Sequence, residues 1–271
     1  MNEDPSFPVR SSNGIRWICS RELEALDGCF RHFFLSRQGG VSEGVFSGLN
    51  MAHGRGDLEG AVRENRRKMR KALGLPMEPV TLRQSHGDSV VVVRSGDQIR
   101  LSSVPAPADA FVTILRQVPL MVLTADCLPV VVLDAVTPAL GLVHAGWRGT
   151  ALGILAKTIR KMAEEFGTRP GNCLVAVGPG ISPGCYEVGV EVRDAFRNSF
   201  PYWEEILSPA GEGHWKADLR EANRRQALDV MVQNAGVSVC SYCTHCETGY
   251  FYSARRDGNE GGRQGTVVML T

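Results

Sequence analysis

Three segments of this chain each set a good metal donor at the edge of an apolar run. The first is Gln84-Ser85-His86-Gly87-Asp88, ahead of a run of valines. The second is Thr124-Ala125-Asp126-Cys127-Leu128-Pro129, between two apolar stretches. The third is His144-Ala145-Gly146-Trp147-Arg148-Gly149, where one apolar stretch gives way to a helical pattern. Imidazole nitrogen and thiolate sulfur are preferred zinc donors, and catalytic zinc commonly takes three protein ligands and keeps a fourth position open. His86, Cys127 and His144 would make such a set. The 17 residues from Cys127 to His144 (144 − 127) fit no zinc-finger spacing. By spacing alone, each histidine is more often a hydrogen-bonded core or surface residue than a ligand. What marks these positions is the glycine or proline within two residues of each, where backbone approaches a ligand closely.

Placing three such segments together requires a framework of strands. Short runs rich in β-branched residues predict strands at 90–93, 111–115, 120–123, 130–133, 140–143, 174–177 and 266–270. Several are continuously apolar, which points to burial on both faces. Periodic apolar residues predict helices over 58–73, ended by Gly74, over 150–166, capped by Thr150, and over 218–235. A shorter helix is expected near 190–200. The block from 111 to 143 holds four strands with no helix between them, so strict β-α alternation fails. The expected class is α+β, a single domain of clustered, mostly buried strands covered by helices.

The composition fits that reading. Of 271 residues, 43% are hydrophobic and 22% charged, and the net charge is only +1. No global field is available to recruit nucleic acid or an anionic membrane. Any anion must be held by a few placed arginines. The start, Met1-Asn2-Glu3-Asp4-Pro5, is polar and acidic, unlike a secretory signal, and no apolar run reaches the roughly 18 residues of a membrane span. Eight cysteines are too sparse for a disulfide scaffold, so the expected compartment is the reducing cytoplasm. No repeat or long linker divides the chain. The expected layout is an N-terminal extension and first strand over 1–28 and one catalytic domain over 29–271.

Five strings occur in order: S-H-G-D-S, T-A-D-C-L-P, H-A-G-W-R-G-T, G-P-G-I-x-P-x-C-Y-E-V and S-A-R-R-D-G…G-R-Q. Together with Arg37-Gln38-Gly39-Gly40-Val41-Ser42 and Gly48-Leu49-Asn50, this succession resembles the bacterial laccase-domain family. That family is also called polyphenol oxidase, peptidoglycan editing factor and multifunctional purine nucleoside phosphorylase. The resemblance covers nearly the whole chain after about residue 30. It implies His86, Cys127 and His144 as metal ligands, and a fold similar to toxin deamidases.

The family's oldest name implies copper oxidation of phenols. A multicopper site needs many imidazoles, and this chain has six histidines and no His-x-His pair. One copper could occupy a single site, but a multicopper cluster cannot be built. The resemblance otherwise implies phosphorolysis of adenosine, inosine and methylthioadenosine, and adenosine deamination. One open zinc per chain rationalises the deamination, because zinc brings the pKa of bound water toward ~7. Asp126 or Asp88 could shuttle protons, although Asp126 fits equally well as a hydrogen-bond partner of a ligand histidine. Phosphorolysis needs a phosphate site, for which Arg37, Arg148 and Arg255 are the candidates, with a helix opening at Thr150 favouring the anion. Asn50 could contact ribose or base, or serve in a turn. The expected partners are a small nucleoside and phosphate.

Two other readings stand beside this one. Cys127 could be the nucleophile of a hydrolase or amidase acting on peptidoglycan-type amides, with His144 or His86 as base. Alternatively, the chain could be a metal-stabilised interaction protein with a closed site. A second cysteine group, Cys240-x-x-Cys243-x-His245-Cys246, resembles half a zinc ribbon, and ordinary buried thiols fit it as well. Cys185-Tyr186 reads as a pocket wall, with Cys185 as a reactive thiol the other option.

Overall fold

The computed structural model describes residues 4–26, 28–94 and 103–271. Met1 to Glu3, expected above to form a polar start, lie outside the described residues.

Two large mixed sheets form the centre. One runs in the order β1 (Val9–Ser12), β2 (Ile15–Ile18), β3 (Phe30–Leu35), β16 (Gln264–Leu270), β8 (Leu120–Thr124), β4 (Val80–Arg83), β6 (Ser103–Pro107). The other runs β15 (Val237–Val239), β11 (Cys173–Val177), β9 (Leu128–Asp134), β10 (Ala139–Ala145), β7 (Ala110–Thr113), β5 (Val90–Val93). A small sheet of β12 (Glu187–Val188), β14 (His214–Ala217) and β13 (Leu207–Gly211) lies apart. The helices are α1 (Arg21–Glu24), α2 (Glu59–Leu73), α3 (Trp147–Ala151), α4 (Ile154–Phe166), α5 (Val190–Ser199), α6 (Trp203–Ile206), α7 (Leu219–Asp229) and α8 (Ala254–Asp257).

Side-chain alternation along the strands builds the layers. On β9, Val131 and Leu133 join Leu140 and Leu142 of β10 in a core shared with Phe34, Val122 and Val268 of the other sheet. Val130 and Val132 face the opposite way, onto Ile154, Ile159 and Met162 of α4. The outer face of the other sheet, with Phe33, Met121 and Val267, packs on Met69 and Leu73 of α2. The result is a helix–sheet–sheet–helix stack, the α+β single domain expected. Both faces of the central strands are covered, so their continuous apolar runs have a direct cause. Gly141 permits the close packing of α4, since a Cβ there would sit 3.0 Å from the Met162 sulfur. No helix among the described residues is long and apolar enough to cross a membrane.

Two helix expectations need correction. Residues 150–166 are not one helix capped by Thr150: α3 starts at Trp147, and Gly153, in the left-handed conformation at φ 75°, separates it from α4. The helix expected over 218–235 ends at Asp229, where Met231 turns the chain at φ 73°. Its start is as expected, with the Asp218 side chain accepting the Glu221 N–H at 3.0 Å.

Candidate metal centre

Three connections pass from one large sheet to the other at the same end of the molecule. His86 lies on the passage from β4 to β5, and Cys127 in the turn from β8 to β9. The passage from β6 to β7 carries Asp109. His144 completes the group near the end of β10, following Val143 in the alternation and so standing on the inter-sheet side. The donor atoms of His86, Cys127 and His144 lie within 4.8 Å of one another. The two imidazoles meet edge to face, with centroids 4.8 Å apart.

Asp109, which sequence reasoning missed, organises this cluster from behind. It is fully buried, and its carboxylate accepts from Nδ1 of His144 at 2.8 Å. It also accepts the backbone N–H groups of His86 at 2.9 Å and Gly87 at 2.7 Å, and that of Ser85 at 3.2 Å. Three successive amides converging on one anion form a nest. The nest holds His86 in the left-handed region, at φ 60°, a strained conformation for a residue with a Cβ. Burial opposes ionisation of Asp109, but the hydrogen bonds and charge of His144 and the loop amides outweigh it and lower its pKa to about 2. The bond to Nδ1 leaves Nε2 of His144 for an ion. A sequence signal existed: an acidic residue between Ala108 and the buried strand Ala110–Thr113 needs a partner.

The Cys127 thiol is set up as an anion. Burial raises its pKa, but neighbouring His144 and His86 reverse the effect and bring it down to about 6. His144 is disfavoured as a cation by burial, yet Cys127 and Asp109 lift its pKa to about 9. Glycine gives these donors room, because a Cβ on Gly146 would lie in tight contact, 3.0 Å from the Cys127 sulfur and 3.1 Å from the His86 ring. Two imidazoles and a readily ionised thiol around one point, with His86 exposed, make an open three-donor site.

The other expected residues take varied places. Asp126 does not orient a ligand histidine; Asp109 does that. The Asp126 carboxylate instead accepts from Thr244 Oγ1 at 2.6 Å, Ser253 Oγ at 3.0 Å and the Arg255 N–H at 2.7 Å, anchoring two loops next to Cys127. Asp88 pairs with Lys157 of α4. Asn50 is buried, and its carboxamide is bonded to Asp57, Ala52 and the Arg263 N–H. Arg37 lies over the Tyr252 ring and donates to the carbonyls of Ser47 and Thr248. Arg148 lies over Trp147 and pairs with exposed Glu191, and Arg255 lies over Tyr186. The Tyr186 phenol is pushed up by burial and then by Cys127, with Arg255, Asp126 and Arg148 also acting on it. Of the two arginines, Arg255 is the one seated on Tyr186, 5.2 Å from its ring centroid, while Arg148 is seated on Trp147, two residues beyond Ala145 at the end of β10. Thr150 is no helix start; buried inside α3, it is bonded by Asn223 and Gln226 of α7.

These features define a class, a single-domain α+β protein with an open His₂Cys donor set where its two sheets exchange chain. The sequence profile described as multi-copper polyphenol oxidoreductase laccase matches residues 31–271, and the chain belongs to that family. A purine nucleoside phosphorylase of Bacteroides thetaiotaomicron is 34% identical over 245 residues, covering 88% of this chain and 91% of the relative. Adenosine deaminase RL5, from an unknown prokaryotic organism, is 33% identical over 232 residues, covering 83% of this chain and 87% of the relative. The crystal structure of the Bacillus licheniformis hypothetical protein YfiH superposes with a TM-score of 0.89 at 29% identity, covering 97% of this chain and 99% of that one.

The family description names several coppers, and the donors do not fit such a cluster. Among the described residues, His32 accepts the Ser20 N–H in the core, while His53 pairs with Glu59 and His214 with Glu187. Only two imidazoles converge, so the donor set suits a single ion.

Proposed function

We propose that this chain is a zinc-dependent purine nucleoside enzyme that phosphorolyses adenosine, inosine and methylthioadenosine and deaminates adenosine. The observation that carries this reading is the convergence of His86, Cys127 and His144, braced by Asp109. The activities named for relatives at 33–34% identity over most of the chain supply the substrate class. Zinc held by the three donors would supply a Lewis acid with an open position.

The chain's own residues do the rest. Asp109 fixes the tautomer and ring direction of His144 through Nδ1. Arg148, over Trp147, and Arg255, over Tyr186, offer guanidinium groups to phosphate. The pairing of Arg148 with Glu191 is surface-exposed and worth at most about 1 kcal/mol, so phosphate displaces it readily. Asp126 acts by fixing the turn that presents Cys127, and Asn50 by fixing the loop before Asp57. Arg37, seated on the Tyr252 ring, is a further guanidinium for an anion. The reading carries a cytoplasmic location, a small nucleoside and phosphate as partners, and kinship of fold with toxin deamidases.

The test is product analysis on a nucleoside panel with and without phosphate. Base release from adenosine is expected only when phosphate is present, from protein holding about one zinc at this centre. Cys127→Ala should remain folded and lose turnover together with the ion of this centre. Full activity, with the ion of this centre retained in that variant, would refute the assignment.

One observation favours a second reading. Asp109 bonds Nδ1 of His144, and the Cys127 sulfur lies within 4.8 Å of a His144 ring nitrogen, an acid, base and thiol set that suits a cysteine hydrolase acting on amides. His86→Ala separates the two readings. The zinc enzyme loses turnover when this donor is removed, whereas a thiol hydrolase keeps most of it.

A further inference from the structure

Beyond the His-Cys-His centre, the described residues hold one other group of at least three converging donors, and all of its members are cysteines. Cys185 ends the turn Pro183–Cys185, and Cys243 and Cys246 lie on the segment that precedes Phe251. Their sulfurs are within 4.8 Å of one another, and those of Cys185 and Cys246 are 3.3 Å apart. All three are free thiols. Cys240, which the sequence grouped with Cys243 and Cys246, is not part of the cluster. It is fully buried between the two large sheets, where burial pushes its thiol up to about 12. Its place is taken by Cys185, from a segment some 60 residues earlier in the chain (243 − 185 = 58).

The backbone under these sulfurs is fixed from several sides. Gly180 bridges Cys243, and the Thr244 N–H donates to Gly180 O at 3.1 Å. Arg256 Nη1 donates to the carbonyls of Thr244 and His245, both at 2.9 Å. Arg220 donates to the carbonyls of Gly180 and Tyr242, at 2.9 and 2.8 Å. The Ser182 N–H points at the Cys243 sulfur from 3.3 Å. An amide directed at sulfur stabilises a thiolate, and such bonds around ligands tune a metal.

We propose that Cys185, Cys243 and Cys246 form a second metal site, a trithiolate that takes one thiophilic cation of the zinc class. Zinc–sulfur bonds of about 2.3 Å in a tetrahedron set sulfurs about 3.8 Å apart, within a small side-chain adjustment of the spacing seen. Each thiol gives its proton to solvent on binding, and the exposed Cys246 side leaves water room for the fourth position. A disulfide would join only two of the sulfurs, and would give no account of the third or of the amide aimed at it. Thr244, between the two loop ligands, donates to the Asp126 carboxylate, so an ion here ties the loops around the turn that presents Cys127. The site is structural, and it stands whether or not the nucleoside reading holds.

The test is metal counting on the purified protein, with cobalt as a spectroscopic probe. Wild-type protein should hold about two zinc ions per chain, and Cys246→Ser about one, with a lower Tm and the His86/Cys127/His144 centre still loaded. Cys185→Ser should behave the same way, and serves as the second variant if the first folds poorly. Cobalt titrated into Cys127→Ala protein should give an intense thiolate charge-transfer band that Cys246→Ser abolishes. Equal metal content in wild type and both serine variants would overturn the proposal. So would a Cys185–Cys246 disulfide found by mass spectrometry in freshly purified protein.

Discussion

Asp109 has more influence on the site than any residue that touches the proposed ion, because it bonds to two of the three donor segments. It holds Nδ1 of His144 and the amides on both sides of His86, and only the Cys127 turn is positioned by another carboxylate, that of Asp126. Replacing it with Asn removes the charge while roughly keeping the shape, and puts an amide donor toward N–H groups that need an acceptor. Removing the partner of a ligand histidine generally costs about 10–100-fold in metal affinity. Asp109→Asn should therefore weaken zinc binding by at least that range in a competition with a chelator, without unfolding the chain. Unchanged affinity would show that the nest is dispensable. Among residues, the three donors that converge were legible from sequence because donor chemistry, and a glycine or proline within two residues of each, marks them. Asp109 was not, because a single carboxylate before a strand looks like any turn acid until the fold brings His144 to it.

The helices show where pattern reading holds and where it fails. Residues 58–73 matched closely because one apolar stripe and Gly74 in the left-handed conformation both mark the same helix. Residues 150–166 read as one helix because the apolar period runs through Gly153 unbroken, and periodicity says nothing of a turn that re-enters on the same face. Gly153 has no heavy atom within 4 Å of a built Cβ, so its conformation and not its space is what matters. Gly153→Ala should cost about 1–2 kcal/mol, measured by urea unfolding. No loss would mean that α3 and α4 can join. Beyond the one strand expected within 1–28, strands β1 to β3 and the small sheet went unread for another reason. They are short and studded with polar residues; β1 and β2 form a local hairpin across Asn13-Gly14, a turn signal that the apolar pattern does not register, whereas β3 owes its place to long-range pairing with β16.

The whole molecule is two sheets pressed together, with His32 close to the shared core. His32 is buried and accepts the Ser20 N–H at 2.8 Å on Nε2, with its ring stacked on Phe30. Burial lowers its pKa from 6.5 to about 4. The folded state therefore binds this proton less readily than the unfolded chain does. Its contribution to stability is complete above pH 6.5 and is lost as pH falls from there to about 4, by about 3 kcal/mol in all. Subtracting the pH profile of a His32→Gln variant from that of wild type in urea unfolding should isolate this loss. Identical profiles would contradict the assignment. The sheet class was legible from the continuous apolar runs, but which strands belong to which sheet was not, since pairing order depends on contacts far apart in the chain.

The three passages between the sheets have a mechanical consequence. An ion gripping His86 and Cys127 clasps two of these crossings together, like a rivet through the spine of a book. Loosening the pages where they press on each other, for instance by trimming Val131 or Leu142, should slacken the grip from a distance. In turn, filling the rivet should stiffen the binding throughout.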